Sequence, residues 1–310
     1  MRKIMRPIIS LRKLAGLFNR QTTQKTYEQW AGRKYTSDPQ ITFVIQCHNK
    51  SESVCKLVSK LRHAEHSEII VIDDGSLLNH TKLLSSYLNR PNEFLLRAND
   101  LYEVIMYDRA IWMARGEYIV LMQDDDDFSD LNWVAEGLRY LKADPKLTIL
   151  GGRDGGKLLP FETTIDGARG PYEFDGKTGG RVNSFRFELS GIPASKHSFE
   201  YVMYTDRAPM WLNRKIFIKT LSHIDISFAP FQWDDAEVCL RTWRSGYHVA
   251  WYKANFQLEK LGVGGMRLWN TVLQQRQDEV NAKKLYQLHG AYLSQICLWV
   301  EAANKQILAS

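Results

Sequence analysis

The sequence lacks three features that would each have pointed to a function: a long apolar run, a paired-cysteine motif and a glycine-rich phosphate-binding motif. No stretch reaches the roughly 18 uninterrupted apolar residues of a membrane-spanning helix. Neither GxGxxG nor GxxxxGK[ST] occurs, so no dinucleotide fingerprint and no P-loop is available to bind phosphates. The four cysteines have no CxxC or zinc spacing, and we expect reduced, mostly buried thiols. They are Cys47, Cys55, Cys239 and Cys297.

A basic surplus is also missing from most of the chain. The 310 residues carry a net charge of +6, but residues 1–40 alone contain nine Lys or Arg and two acids, which leaves the remaining 270 residues at −1. A nucleic-acid groove across the body is therefore not expected, because there is no positive charge to neutralise phosphates. With 44% hydrophobic residues, the body has enough apolar material for one large domain or two small ones.

The basic N-terminal segment has three interpretations. Its apolar residues fall near one helical face with Arg and Lys between them, which is typical of a helix lying on an anionic membrane surface. Its many Arg and few acids are also typical of an organelle transit peptide. The third interpretation is a solvated basic extension, as chain termini often are.

Strand and helix patterns alternate from residue 41 onward. The predicted strands are 41–46, 68–73, 93–97, 117–123 and 147–152, and the predicted helices between them are 53–64, 81–88, 102–114 and 131–141. This alternation predicts an α/β fold with a mostly parallel sheet covered by helices on both faces. Residues 153–200 predict loops and short strands, and helical patterns return at 213–221, within 231–253 and after Trp269.

Polar clusters follow the predicted strands, at the sheet edge where α/β proteins bind ligands. The densest is the acid run Asp124–Asp127, whose crowded carboxylates would repel one another unless a cation compensates them. Oxygen-rich sites suit Mg²⁺ or Mn²⁺, and Mg²⁺ commonly bridges to substrate phosphates. The competing interpretation is a solvated acidic turn that caps the helix starting near Leu131. Asp74 and His48 also follow predicted strands, and each has a purely structural interpretation. Asp74 could be a turn residue before Gly75, and His48 could be a structural histidine.

Five motifs in the same order resemble those of family 2-type inverting glycosyltransferases with the GT-A fold, a Rossmann-like α/β fold. They are FVIQCHNK (43–50), VIDDGS (71–76), NDLYEVIMYDRAIWMARGEYIVLMQDDDDF (99–128), APMWLNRKIF (208–217) and WDDAEVCLRTWRSGYHVAWY (233–252). The resemblance implies transfer of a hexose-type sugar, an EC 2.4 activity, from a nucleotide-sugar to a glycan or other hydroxyl acceptor. It divides the chain into a basic extension (1–40), a GT-A domain (41–265) and a C-terminal helical segment (266–310). Within that domain, residues 41–150 form the nucleotide-sugar half and residues 151–265 the acceptor half.

The resemblance also implies a role for each matching position on the donor side. Asp74 would contact the uracil of a UDP-sugar with Gln46 and His48 beside it, although the family usually has Tyr where His48 stands. Asn99 and Arg109 would lie near the ribose or diphosphate. The first Asp of the family's DxD motif aligns with Gln123, so the register of the metal-binding motif differs here. The implied metal ligands for Mn²⁺ or Mg²⁺ are Asp125 and then Asp126, with Asp124 toward the ribose.

Two further positions are implied near the reaction centre. Asp235 aligns with the general base that an inverting displacement needs opposite the leaving diphosphate, and Asp234 aligns with the acid before it. The alternative for this pair is negative charge that complements a helix dipole. Lys260 stands where many relatives carry a metal-binding His. A protonated Lys cannot ligate a metal, but its charge can lie on a diphosphate.

Two other classes of function compete with this hypothesis. One is a GT-A-like protein that binds a nucleotide or glycan without turnover, and the other is a nucleotidyltransferase, for which a Gly-rich signature near the first strand is missing. The sequon Asn49-Lys50-Ser51 lies inside the expected nucleotide site, where a glycan would block it. We therefore expect a cytoplasmic location, with any peripheral membrane contact made through the N-terminal segment.

Overall fold

The computed structural model describes residues 38–160, 173–174, 179–182, 185–191, 197–207, 209–258 and 271–309. The expectations for the N-terminal segment up to residue 37 and for Lys260 lie outside these residues. Apart from Arg90–Asn92, the described residues belong to one compact unit, Asp38–Asn89 and Glu93–Ser310.

The described residues form strands and helices in alternation, numbered in chain order. The strands are β1 (Ile41–Cys47), β2 (Ser67–Asp74), β3 (Glu93–Ala98), β4 (Tyr118–Met122), β5 (Asp126–Asp127), β6 (Leu147–Gly151), β7 (Asp154–Pro160), β8 (Glu173–Phe174), β9 (Gly179–Val182), β10 (Phe185–Gly191), β11 (Phe199–Tyr201), β12 (Tyr204–Thr205), β13 (Met210–Asn213), β14 (His248–Tyr252) and β15 (Gln257–Leu258). The helices are α1 (Ser51–Leu61), α2 (Leu78–Tyr87), α3 (Tyr102–Met113), α4 (Asn132–Ala143), α5 (Arg214–Thr220), α6 (Asp234–Arg244), α7 (Thr271–His289) and α8 (Leu293–Ala309).

Eight of the strands in the described ranges form the central sheet, in the order β11-β14-β6-β13-β4-β1-β2-β3. Strands β1, β2, β3, β4, β6 and β14 run in one direction, and β11 and β13 run against them. All seven residues of β1 are buried, as expected for a strand covered on both faces. The predicted α/β fold with a mostly parallel sheet is confirmed.

The predicted elements of residues 41–150 agree with the observed ones to within a few residues. Helix α1 shows why the pattern was readable: Val54, Leu57, Val58 and Leu61 are buried on one face, while Glu52 and Lys56 are exposed. This clean separation of apolar and polar residues makes the helical period visible in the sequence.

A second sheet forms where the sequence predicted loops and short strands. Its strands are antiparallel, in the order β12-β7-β10-β9-β8. Separately, β15 pairs with β5, so that Leu258 lies opposite Asp126 and Gln257 opposite Asp127. This short ladder holds the chain after β14 against the acid run.

The cysteine prediction is confirmed: all four thiols are free, and Cys47, Cys55 and Cys239 are buried. Among the described residues, no helix combines the length and apolar character needed to cross a membrane.

Candidate active site

The loops that follow β1, β2 and β4 are joined by hydrogen bonds at the carboxyl edge of the sheet. β1 lies between β2 and β4, so the three strand ends are neighbours. The backbone N–H of His48 donates to Asp124 Oδ2 at 3.0 Å. The His48 ring donates through Nδ1 to the carbonyl of Asp74 at 2.8 Å, and its Nε2 lies 2.9 Å from Asn49 Nδ2. Both ring nitrogens of His48 are therefore engaged by the protein, and the ring fixes the loop.

Gln46 and Asp74 differ in how much of their hydrogen-bonding capacity the protein uses. Gln46 is buried, and neither Oε1 nor Nε2 has a hydrogen-bond partner among the described residues. Asp74 is also buried, and its two oxygens accept from the backbone N–H groups of Leu101 and Tyr102 at 3.0 and 2.9 Å. The contact of Asp74 with a base stays a prediction, and Gln46 is the side chain with open polar atoms.

The turn after β2 is made by Gly75 at φ +74°, a conformation that a residue with a Cβ rarely adopts. A Cβ built at this glycine would lie 3.3 Å from Asn99 Oδ1, which places the exposed Asn99 against the turn. Asn99 therefore joins the strand-end group, as predicted from its position after β3.

Arg109 lies elsewhere. It is an exposed residue of α3 that lines a cavity of about 650 Å³ together with Asp108, His223, Glu237 and Arg241. None of the strand-end residues lines this cavity. The structure does not bring Arg109 to the strand-end group, and its role toward a donor stays a prediction.

Three carboxylates of the acid run are buried rather than solvated. Asp124, Asp125 and Asp126 are 3%, 2% and 7% exposed, whereas Asp127 is exposed and pairs with Lys60. At the start of α4, the backbone N–H of Asn132 donates a hydrogen bond to Asp130 Oδ1 at 2.9 Å. The acid run is therefore not a solvated turn that caps this helix.

Burial sets the electrostatics of these carboxylates. It raises the pKa of Asp124, against the opposing charge of Lys50, whose Nζ lies 3.2 Å from Asp124 Oδ1 and 3.7 Å from Asp125 Oδ2. Burial also raises the pKa of Asp126 well above its usual value, although Asp126 Oδ2 accepts from the backbone N–H of Gln123 at 2.8 Å. Burial therefore disfavours the charged forms of Asp124 and Asp126, and Lys50 opposes this effect at Asp124.

The donor set fits a divalent cation in part. Asp125 Oδ1 and Asp126 Oδ1 are buried and have no hydrogen-bond partner in the described part of the chain. Such oxygens are the ligands that Mg²⁺ and Mn²⁺ take. Within the same residues, however, no group of three His, Cys, Asp or Glu is arranged to hold a metal. A cation here would have two protein carboxylates at most and would need water or phosphate for the rest of its coordination.

The second pair of acids sits at the start of α6, and its two members have different environments. Asp234 is 2% exposed and forms a buried ion pair with Arg207 Nη2. The other guanidinium nitrogen of Arg207 lies 3.9 Å from Glu103 Oε2, and the group stacks over the Tyr107 ring at 4.8 Å. Burial alone would lower the pKa of Arg207, but Asp234 and Glu103 outweigh it and raise the pKa. Asp234 is therefore held as the partner of a permanent cation.

Asp235 is partly exposed, and its Oδ1 accepts a hydrogen bond from the backbone N–H of Ala236 at 2.8 Å, at the start of the helix. Loss of solvent and the neighbouring Asp234 raise the pKa of Asp235 to about 6. Burial and the charge of Asp235 in turn raise the pKa of Asp206 to about 8, so these carboxyls are near one another. A carboxylate with a pKa near neutrality and an exposed side is suited to accept a proton.

The turn that presents these acids is strained and is held by α7. Gln232 and Trp233 have φ of +78° and +68°, the left-handed region that costs a non-glycine residue energy. Trp233 Nε1 donates to Asp278 Oδ1 at 2.7 Å. The side-chain amide of Asn281 lies 2.8–3.0 Å from three carbonyl oxygens of the turn, those of Phe228, Phe231 and Gln232.

We expect Asn281→Ala to lower kcat while KM for the donor stays within about twofold, because the change loosens the turn and leaves the strand-end group intact. Asn304→Ala is the matched control, since Asn304 holds the backbone N–H and carbonyl of Tyr201 from the next helix. Both variants should lose about 1–3 kcal/mol of unfolding free energy. Equal kcat for the two folded variants would show that Asn281 has no positioning role.

Electrostatics connect the two acid groups. Burial raises the pKa of Glu103 to about 7, and the causes that raise it include Asp234, Asp235 and Asp124. Glu103 therefore feels charges from both the start of α6 and the acid run. The acid run and the α6 acids belong to one electrostatic environment.

Sequence reasoning missed Lys50, Glu103 and Arg207. Their partners lie far away in the sequence, so no local spacing shows the pairing. One signal was available for Arg207: the charged pair Asp206-Arg207 interrupts the apolar stretch YVMYTDRAPMWL. A charge inside such a stretch indicates a buried and paired group.

Residues 42–192 match the family model described as glycosyl transferase family 2. This segment, 151 of the 310 residues, is similar to glycosyl transferase family 2. It contains the strand-end group and the acid run. Asp234 and Asp235 lie beyond it, so their assignment depends on the geometry and on the motif around them.

Three solved structures resemble the chain. GalNAc-T7, solved with UDP, GalNAc and Mn²⁺, shares 14% identity over 71% of this chain and 43% of its own, with a TM-score of 0.52. The mannosyltransferase PcManGT from Pyrobaculum calidifontis, solved with GDP-Man and Mn²⁺, shares 13% identity over 73% and 61%, with a TM-score of 0.46. S. aureus TarS 1-349 shares 13% over 69% and 58%, with a TM-score of 0.47. No curated protein matches the sequence.

The structural similarity establishes the GT-A fold around the family 2 segment. The chain spans 43% to 61% of the length of these three structures. Substrate and activity are therefore argued below from the site itself.

Proposed function

We propose that the protein is a glycosyltransferase that moves a sugar from a nucleotide-sugar, first among them a UDP-sugar, to an acceptor hydroxyl with inversion. The observation that carries the proposal is the unequal pair at the start of α6. Arg207 holds Asp234 in a buried ion pair, while Asp235 is partly exposed with a raised pKa. One acid is fixed and its neighbour is available to accept a proton.

In the proposed reaction the acceptor hydroxyl attacks the anomeric carbon from the side opposite the diphosphate. Its oxygen forms the new glycosidic bond, the bond from the sugar to the diphosphate breaks, and Asp235 takes the hydroxyl proton. Because attack and departure are in line, the anomeric configuration inverts.

The donor would lie at the strand ends. Gln46 has two polar atoms there without a partner among the described residues, and Asn99 lies on the Gly75 turn. Asp74 lies beside them, with its oxygens accepting from Leu101 N and Tyr102 N. Asp125 and Asp126 would hold Mn²⁺ or Mg²⁺, with Asp124 toward the ribose. When bound, the cation would neutralise charge on the leaving diphosphate.

The test is a panel of UDP-, GDP- and dTDP-sugars with Mn²⁺, scored for slow release of nucleoside diphosphate and free sugar. UDP-sugars come first because the GalNAc-T7 structure, which has the same fold, contains UDP and Mn²⁺. We expect one nucleotide class to be hydrolysed. Tight donor binding without hydrolysis would instead favour a non-catalytic binding protein. Formation of nucleoside triphosphate and sugar 1-phosphate when pyrophosphate is added to the donor would favour a nucleotidyltransferase.

The pH dependence gives a second test of Asp235. A general base works only when deprotonated, and the deprotonated fraction of Asp235 grows as pH rises through its pKa of about 6. We therefore expect kcat/KM to rise about tenfold per pH unit below that value and to level off above it. The profile should be measured from pH 4.5 to 8 with a constant-ionic-strength buffer. A level profile between pH 5 and 7 would contradict the assignment.

A further inference from the structure

The Lys50 ammonium lies beside two buried carboxylates of the acid run, Asp124 and Asp125. It is 3.2 Å from Asp124 Oδ1 and 3.7 Å from Asp125 Oδ2, and its side chain is 26% exposed. The backbone N–H of His48, two residues earlier, binds the other oxygen of Asp124. The loop between β1 and α1 thus engages both oxygens of Asp124.

Two of the three buried carboxylates contact a cation. Lys50 contacts Asp124 and Asp125, whereas Asp126 accepts a hydrogen bond from the backbone N–H of Gln123 and is influenced by the charge of Arg153. A divalent ion bound to Asp125 would place two further positive charges close to the ammonium. Like charges about 4 Å apart repel strongly where the effective dielectric constant is well below that of water. The ammonium and the ion cannot both occupy this position at low cost.

We propose that Lys50 and the divalent cation compete for Asp125, so that the Lys50 ammonium must leave the Asp124–Asp125 carboxylates as the cation binds. This inference rests on the proposed function, because it concerns the metal that the donor reaction would use. Lys50 thereby weakens metal binding to the free protein. Rotation of its flexible four-carbon side chain opens the carboxylates.

The central experiment compares Mn²⁺ binding to wild type and Lys50→Met without nucleotide, by calorimetry and by the electron paramagnetic resonance signal of free Mn²⁺. We expect Lys50→Met to bind Mn²⁺ at least tenfold more tightly and Lys50→Arg to bind it as weakly as wild type. Lys60→Met is the matched control. It removes the exposed pair to Asp127, the fourth acid of the same run, and should leave Mn²⁺ affinity within twofold. Equal affinity of Lys50→Met and wild type would overturn the proposal.

A second measurement uses only the wild-type protein, in case Lys50→Met does not fold. Reductive methylation followed by mass spectrometry reports how available each amine is. Saturating Mn²⁺ should increase methylation of Lys50 at least threefold and leave methylation of Lys60 unchanged. No change at Lys50 under saturating Mn²⁺ would also overturn the proposal. Failure of the proposed function would be distinct, since it would appear as absence of donor hydrolysis whatever the Mn²⁺ affinities.

Discussion

Asp235→Asn is expected to reduce sugar transfer by about 10²–10⁴-fold, the contribution of a general base, while the protein folds and binds donor as wild type does. The amide keeps the size of the side chain and the hydrogen bond from Ala236 N, but it cannot accept the proton. Single-turnover rates and donor affinity measured on the same preparation separate loss of chemistry from loss of binding. The acidic limb of the pH profile should also disappear.

Asp234→Asn provides the contrast, because its neighbour Asp235 is unchanged. It should lower the melting temperature by weakening the ion pair to Arg207 and should retain more transfer per folded molecule than Asp235→Asn. Near-normal turnover of Asp235→Asn together with an inactive but folded Asp234→Asn would show that the base is the other acid.

The largest expected effect on stability is that of Arg207→Met. Removing one partner of a buried ion pair costs about 3–5 kcal/mol, because the remaining charge is left uncompensated. Here Asp234 is left without its partner, and Glu103 loses a nearby cation. Chemical denaturation at pH 7.5 measures the change in the free energy of unfolding.

The double variant Arg207→Met with Asp234→Asn separates the lost pair from the lost packing. Removing both charges should recover part of the stability, so the double variant should be less destabilised than the sum of the single variants. Additive losses would mean that the pair contributes no coupling. Lys60→Met, which removes an exposed pair, should change the unfolding free energy by at most about 1 kcal/mol.

The fold was predictable because its information is local. The spacing of apolar residues reveals apolar strands such as 41–46 and one-sided helices such as 53–64. The carboxyl ends of parallel strands, in turn, necessarily lie at one edge of the sheet. The same logic placed His48, Asp74, Asn99 and the acid run together. Arg109 lies in one of the matching motifs, but it is on the exposed side of α3 and lines a cavity to which none of the strand-end residues contributes.

The rest of the site depends on contacts between distant segments. Arg207 is 27 positions from Asp234 and more than 100 from Glu103, and Lys50 is more than 70 from Asp124. No period or spacing records such pairings. The sequence does show that a charged residue lies within an apolar stretch, but it does not show which residue of opposite charge pairs with it.

Strand β13 has a consequence for how the molecule can be dissected. It is inserted between β4 and β6, although it comes from residues 210–213, after the matched segment 42–192 ends. A recombinant fragment limited to that segment would therefore lack the strand that joins the two parts of its own sheet. Hydrogen-bonding edges of β4 and β6 would be left open to pair with other chains. The family match thus delimits a region of sequence similarity, whereas the central sheet of which it is part extends past it to include β13.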